Sequence, residues 1–221
     1  MSNPEFAAEE GLNKHLLGLY RHELWYLASS IVLRCQSVFE KTRPPESGYY
    51  LQVAPEIHAE IFGVLSQAAA LKKLIATAPA KGKDESRRVY QLRRHRAKVL
   101  AELLHGIDLE EILKAKVRNT IEHFDEYLDE AIVELSHAGP KAPPAAAYNL
   151  VLSDWGVFSP PPFPIRVYIA ADQTFHNLKW SISLARICAE AKQIVARLRA
   201  SGLAPSEDEE PGGLLVMLGA G

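Results

Sequence analysis

Residues 108–137 read DLEEILKAKVRNTIEHFDEYLDEAIVELSH, and this stretch decides the helical character of the chain. Its apolar residues recur every three or four positions, which keeps them on one face of an α-helix. They are Leu113, Val117, Ile121, Phe124, Leu128, Ile132 and Leu135. Asp108 and Glu111 have the spacing of a capping box, which bonds the free N–H groups of a helix start. The pattern predicts one helix of about 28 residues, ended by Gly139 and Pro140.

Three more long helices are predicted before this stretch. An apolar line predicts the first over residues 9–41. The second begins at Pro55 and ends before Pro79, and the third lies between the cap-like Asp84 and Gly106. Short connections between such helices favour an up-down bundle.

After residue 145 the pattern changes to short alternating runs rich in β-branched and aromatic residues, which are typical of strands. The runs are residues 148–153, 165–170 and 175–180, with a turn at Asp172 and Gln173. A last helix follows them. The predicted fold class is therefore mainly α: an up-down helical bundle of four long helices with a small antiparallel β-meander and a C-terminal helix.

These patterns divide the chain into three segments. Residues 9–137 form the predicted helical bundle, and residues 145–201 add the short strands and the last helix. Residues 202–221 are an acidic, glycine-rich tail, whose composition predicts disorder.

Composition narrows the function. The 221 residues are 48% hydrophobic with a net charge of −2, so any site for anions must be local. Cys35 and Cys188 lie far apart on apolar stretches, which predicts two buried reduced thiols rather than a disulfide framework. With no signal-peptide pattern and no apolar run long enough to span a membrane, we expect a cytoplasmic protein without membrane contact.

The chemistry-bearing motif is Arg118-Asn119, three spacers and His123. It resembles the motif of the HEPN (higher eukaryotes and prokaryotes nucleotide-binding) superfamily, whose members are helical bundles and often metal-independent ribonucleases. The resemblance implies a cofactor-free endoribonuclease, a toxin or defence component, with an antitoxin or other regulatory protein as a partner. It implies His123 as base or acid and Arg118 as phosphate clamp. Asn119 would orient the histidine or bond the phosphate.

Helix geometry predicts that this site needs two copies of the chain. At about 100° per residue, Asn119 and His123 share one face, whereas Arg118 lies roughly 140° from His123. One helix cannot aim both side chains at one atom, but a two-fold homodimer can. RNA supplies the 2′-OH nucleophile, an imidazole can take its proton, and a guanidinium can stabilise the phosphate charge.

The alternative is a non-catalytic HEPN-like helical module for dimerisation or for RNA or protein binding. Arg118 can pair with Glu122 at i+4 on an ordinary solvated face. Some HEPN toxins carry a tyrosine two residues after the histidine, which a partner enzyme modifies. Asp125 stands there, so that neutralisation scheme is not carried over.

Predicted RNA contacts lie mainly on the third helix, the one dense basic stretch of the sequence. They are Arg87, Arg88, Arg93 and Arg94, together with Lys116 before the motif. Such residues neutralise phosphates, although a solvated basic helix has the same composition.

A metal site is not predicted. Two Glu-x-x-His pairs, ending at His105 and His137, have the spacing of di-iron bundles. The two histidines would lie roughly 40 Å apart along one helix and cannot share a metal within one chain. A ferritin-like metal protein is therefore a distant third alternative.

Overall fold

The computed structural model describes the backbone of residues 4–114 and 116–205, and side chains from residue 17 onward except at 141. The predicted tail over 202–221 thus lies mostly outside the described residues. The chain is mainly helical with a small sheet region, as predicted. The helices are α1 (Pro4–Lys41), α2 (Pro55–Ile75), α3 (Arg87–Leu103), α4 (Glu110–Leu113), α5 (Lys116–Glu122), α6 (Phe124–His137) and α7 (Leu184–Ala200).

The third helix begins later than predicted. Its N-cap is Ser86, whose hydroxyl accepts the Val89 N–H at 3.2 Å. Asp84, the predicted cap, lies in the turn before it and is exposed. Serine in this position satisfies an N–H group that the first helical turn leaves free.

The single helix predicted over residues 108–137 is wrong, because the chain leaves helical geometry twice. Lys114 is extended, with φ −65° and ψ 124°. His123 breaks the helix again, with φ −114° and ψ 46°. The predicted apolar line is also buried unevenly, since Val117 is 2% exposed and Ile132 is 55% exposed. The motif therefore sits on a short helix that ends at its histidine.

The predicted capping box is wrong for a tertiary reason. Glu190 of α7 accepts the N–H groups of Glu111 and Ile112, each at 2.8 Å. The Glu111 carboxylate accepts the Ser183 N–H at 2.7 Å through one oxygen and the Lys114 ammonium at 2.6 Å through the other. Asp108 accepts the Glu110 N–H at 3.1 Å, so the start of α4 is fixed by Asp108 and by α7 together.

Over the described residues, seven short strands form two sheets. They are β1 (Leu51–Gln52), β2 (Ala146–Tyr148), β3 (Val151–Leu152), β4 (Phe163–Ile165), β5 (Val167–Ile169), β6 (Thr174–Asn177) and β7 (Trp180–Ser183). One sheet has the order β1-β3-β5-β6-β7, and the other pairs β2 with β4. The predicted antiparallel meander holds for β5, β6 and β7, but β3–β5 and β2–β4 are parallel.

Two turns explain how the last strands differ from the prediction. The predicted turn is present, with Gln173 at φ +53° between β5 and β6. The run 175–180, predicted as one strand, instead bends at Leu178, which has φ +57°. The chain returns there as the hairpin of β6 and β7.

The main hydrophobic cluster combines side chains of α1, α2, α7 and the larger sheet. Tyr168 and Phe175 of the sheet are fully buried beside Leu24 and Ile31 of α1. The predicted segments 9–137 and 145–201 therefore contribute to one core.

The two cysteines are buried and unbonded. Although 153 positions separate them, the neighbouring Cys188 thiol of α7, together with burial, raises the pKa of the Cys35 thiol of α1. The Cys35 thiol donates to the Leu184 carbonyl at 3.8 Å. The prediction of two buried reduced thiols thus agrees with the structure, which also brings them together.

Candidate functional site

The Arg118 guanidinium is occupied by its own helix. Its Nε and Nη2 donate to the same Glu122 carboxylate oxygen at 3.1 and 2.8 Å. This is the i+4 pairing expected of an ordinary helix surface. A phosphate could bind the Nε and Nη2 edge of Arg118 only by displacing Glu122.

The His123 side chain is open to solvent at the break between α5 and α6. It is 58% exposed, and its Nδ1 lies 3.7 Å from a carboxylate oxygen of Glu126. Asn119 contacts His123 through the backbone, since its carbonyl accepts the His123 N–H at 2.9 Å. Within one chain the motif thus presents an accessible imidazole, whereas its arginine is already paired.

The charges around the motif are unfavourable for an anion. Between Asn119 and Pro140 the chain carries six acidic residues and no lysine or arginine. The acidic residues are Glu122, Asp125, Glu126, Asp129, Glu130 and Glu134. We call residues 122–134 the acidic segment. Its field repels phosphate, so binding there requires additional cations.

Lys116, a predicted RNA contact, lies against aromatic rings. Its ammonium is 5.0 Å from the centre of the Tyr127 ring and 4.8 Å from the centre of a Trp180 ring. Such contacts stabilise a cation without neutralising it. They also join α5 to α6 and β7.

Arg93, another predicted RNA contact, is turned inward. It donates to both carboxylate oxygens of Glu85, at 2.5 and 2.9 Å, and to the carbonyls of Ala78 and Ala80. Hydrogen bonds from Arg93 and from the Gly82 N–H hold the pKa of Glu85 at about 2, below its usual 4.5. Arg93 therefore anchors the loop before α3.

Arg96 makes a similar inward contact at the end of α2. It donates to the carbonyls of Lys73 and Leu74 at 3.0 and 3.4 Å. These belong to the last turn of α2, where carbonyls lack partners within the helix. Arg93 and Arg96 together fix α3 against the rest of the protein.

The remaining basic residues of α3 face outward. Arg87, Arg88 and Arg94 are exposed, and Lys98 lies 3.9 Å from the exposed Glu102. Arg87, Arg94 and Lys98 fall within an arc of about 40°. We call these three residues the basic stripe.

The stripe lies in a strongly basic part of the sequence. Residues 72–98 carry ten lysines and arginines and two acidic residues, a net charge of +8 in a chain of net charge −2. This region is therefore locally basic, although the chain as a whole is slightly acidic.

Sequence patterns missed one cation beside the motif. The guanidinium carbon of Arg166, in the link between β4 and β5, lies 3.8 Å from the centre of the Phe124 ring. Phe124 follows His123 directly. Periodicity placed Arg166 in a strand, and no motif spacing links it to residues so far away in sequence.

Comparison with protein families, with curated proteins and with solved structures found no match to this chain. The resemblance to HEPN proteins therefore stays a prediction. The described part of the chain gathers no group of three or more His, Cys, Asp or Glu side chains able to hold a metal. No described helix has the length and apolar composition needed to cross a membrane.

Proposed function

We propose that this protein binds RNA non-catalytically, through phosphate contacts made by the basic stripe on α3. The observation that carries this proposal is the net charge of +8 over residues 72–98. The outward guanidinium groups of the basic stripe, on Arg87 and Arg94, have no carboxylate partner among the described residues.

The geometry of α3 suits a line of phosphates. From Arg87 to Lys98 the stripe runs about 16 Å along the helix axis, at 1.5 Å per residue. Because Arg93 and Arg96 fix the opposite face of α3 to the protein, the side chains of the stripe project from a helix whose position is fixed. Cations on a fixed line can neutralise successive phosphates and release their counterions.

The test is RNA affinity as a function of salt. Fluorescence anisotropy of a labelled structured RNA is measured from about 50 to about 200 mM salt. We expect wild type to bind more weakly as salt rises. The triple variant R87E, R94E and K98E should lose at least about tenfold in affinity, and its salt slope should fall by about two.

A matched control separates the stripe from net charge. The variant K41E, R43E and K192E reverses three exposed cations elsewhere and changes the net charge by the same amount. It should bind nearly as wild type does. Equal losses in the two triple variants, or no binding by wild type at about 50 mM salt, would refute the proposal.

The second candidate is a metal-independent endoribonuclease of HEPN type, active as a homodimer. The open His123 imidazole at the end of α5 favours it, together with two apolar side chains on α6. Ile132 is 55% exposed and Val133 is 56% exposed. Covering them with a second copy would remove apolar surface from water and bring two motifs close to each other.

In this candidate, His123 would take the proton of a ribose 2′-OH, and Arg118 of the second copy would hold the phosphate. Asn119 would orient one of these groups. The bond from the 2′-oxygen to phosphorus forms as the 5′-oxygen leaves with a proton, so the product ends in a 2′,3′-cyclic phosphate. An antitoxin or regulatory protein would keep such an activity in check.

Cleavage is tested in EDTA on an end-labelled structured RNA, with H123A and R118A as comparisons. We expect wild type, but neither variant, to produce fragments with cyclic phosphate ends. Sedimentation supplies a second readout, since salt should tighten a dimer of acidic helices but weaken RNA binding. A monomer at all salt concentrations, or equal cleavage by all three proteins, would refute the candidate.

A further inference from the structure

The guanidinium of Arg166 lies over an aromatic surface. The guanidinium carbon is 3.8 Å from the centre of the Phe124 ring and 5.8 Å from that of Phe62. A guanidinium stacked on a ring uses its face and keeps its N–H donors directed outward in the plane. The stacking thus leaves the edge of Arg166 free to meet an acceptor.

That edge has no acceptor among the described residues. The Nε atom is buried without a hydrogen-bond partner, and the terminal nitrogens form no hydrogen bond or ion pair there. Several other partly buried guanidiniums do have a carboxylate: Arg34 pairs with Glu60, Arg93 with Glu85 and Arg118 with Glu122. The terminal nitrogens of Arg166, which also lack a partner among the described residues, are the donors that remain for an external acceptor.

The Arg166 backbone is held in a conformation that non-glycine residues rarely adopt, with φ +55°. Its N–H donates to the Asn177 side chain at 3.2 Å, and its carbonyl lies 2.8 Å from His58 Nε2. Asn177 also donates to the Thr120 hydroxyl at 2.9 Å. Three elements, α2, α5 and β6, thus fix Arg166 in place. Strained residues held this firmly are concentrated at binding sites.

From this arrangement we propose that Arg166 and Phe124 form a binding site for a single phosphate-type oxyanion beside the start of α6. The terminal nitrogens would donate two parallel hydrogen bonds to two oxygens of the anion. Phe124 would keep the guanidinium plane in position. The site is separate from the basic stripe on α3, so neither proposal depends on the other.

Isothermal titration calorimetry tests this with inorganic phosphate at constant ionic strength. We expect saturable binding to wild type and at least about tenfold weaker binding to Arg166→Gln. Arg166→Lys keeps the charge but lacks the planar fork, so its affinity should fall between the two. The matched control is Arg43→Gln, which removes an exposed arginine just after α1 and outside both proposed binding surfaces, and it should bind phosphate as wild type does.

A structural role alone for Arg166 predicts a different result. Circular dichroism first checks that each variant is folded; if Arg166→Gln is not, Arg166→Lys and Phe124→Leu take its place. Equal phosphate affinity in wild type and the folded Arg166 variants would overturn the proposal, as would no binding by wild type.

The source of the oxyanion is settled by competition. A short single-stranded RNA that displaces phosphate from wild type and from the triple α3 variant would identify a phosphodiester ligand. Displacement by free phosphate compounds only would identify a small phosphorylated ligand. Either result supports the site, because the phosphate being displaced is the phosphate whose binding Arg166→Gln weakens.

Discussion

Helix α3 and the acidic segment differ in both charge and continuity, although amphipathic periodicity predicts each as part of one helix. In α3 the helix is unbroken, and its cations are an inward pair, the outward stripe and the exposed Arg88. The acidic segment begins at a helix break and carries six carboxylates. The net charge of −2 therefore conceals two opposite surfaces. The residues best suited to proton transfer and those best suited to holding phosphate lie apart.

The largest effect is expected from removing the contact between Glu190 of α7 and the start of α4. Glu190→Ala leaves the N–H groups of Glu111 and Ile112 without their buried acceptor. We expect a loss of about 2–3 kcal/mol in the free energy of unfolding. Urea denaturation followed by circular dichroism measures it.

Glu130→Ala is the control for this experiment, because Glu130 is exposed on α6. It should change stability by less than about 0.5 kcal/mol. If Glu190→Ala costs no more than the control, the tertiary contact to α7 does not determine where α4 begins.

An intermediate effect is expected from removing the charge of the acidic segment. The variant E126Q, D129N and E130Q lowers the local repulsion of phosphate. RNA affinity should rise about three- to tenfold at low salt, and the gain should vanish as salt screens the charges. Anisotropy titrations over the same salt range measure both.

Three exposed carboxylates far from the segment provide the comparison, in the variant E23Q, E40Q and E46Q. It changes the net charge equally and should increase affinity less. Equal increases in RNA affinity in the two variants would mean that only the total charge of the molecule affects binding. The position of the acidic segment would then have no effect on RNA binding.

The smallest effect concerns the loop that anchors α3. Because the pKa of Glu85 is lowered in the folded state, its contribution is complete above the usual value of 4.5. The contribution is lost as pH falls through about 2. Wild type should therefore be more stable than Glu85→Gln at pH 5, with the difference shrinking on acidification. Urea midpoints measured across this range test the trend, and a constant difference would contradict it.

Local patterns predicted the parts of the fold that depend on local contacts. The end of α1 at Lys41, the turn at Gln173 and the last helix follow from periodicity and turn chemistry. The breaks at Lys114 and His123 gave no sequence signal. The start of α4 was also not predictable from local spacing, because Glu190 accepts the N–H of Glu111 from a distant part of the chain. A spacing rule cannot see a partner 79 positions away.

The candidate site shows the same limit. Composition correctly singled out α3 as basic, but it could not tell that Arg93 binds the loop before the helix while Arg94 faces solvent. Those orientations depend on where α2 ends. No sequence pattern pointed to Arg166 as a site residue, because Phe124 is distant in sequence and contacts it only in the folded protein.

Asn177 has a mechanical consequence for the whole region. It is fully buried, accepts the Arg166 N–H, and donates to Thr120, which is also fully buried. One amide thus ties the helix that bears the motif to the hairpin of β6 and β7. Neither element can shift without breaking buried hydrogen bonds, so they should open together as one cooperative unit. A ligand that stabilises one of these elements against opening should therefore also stabilise the other.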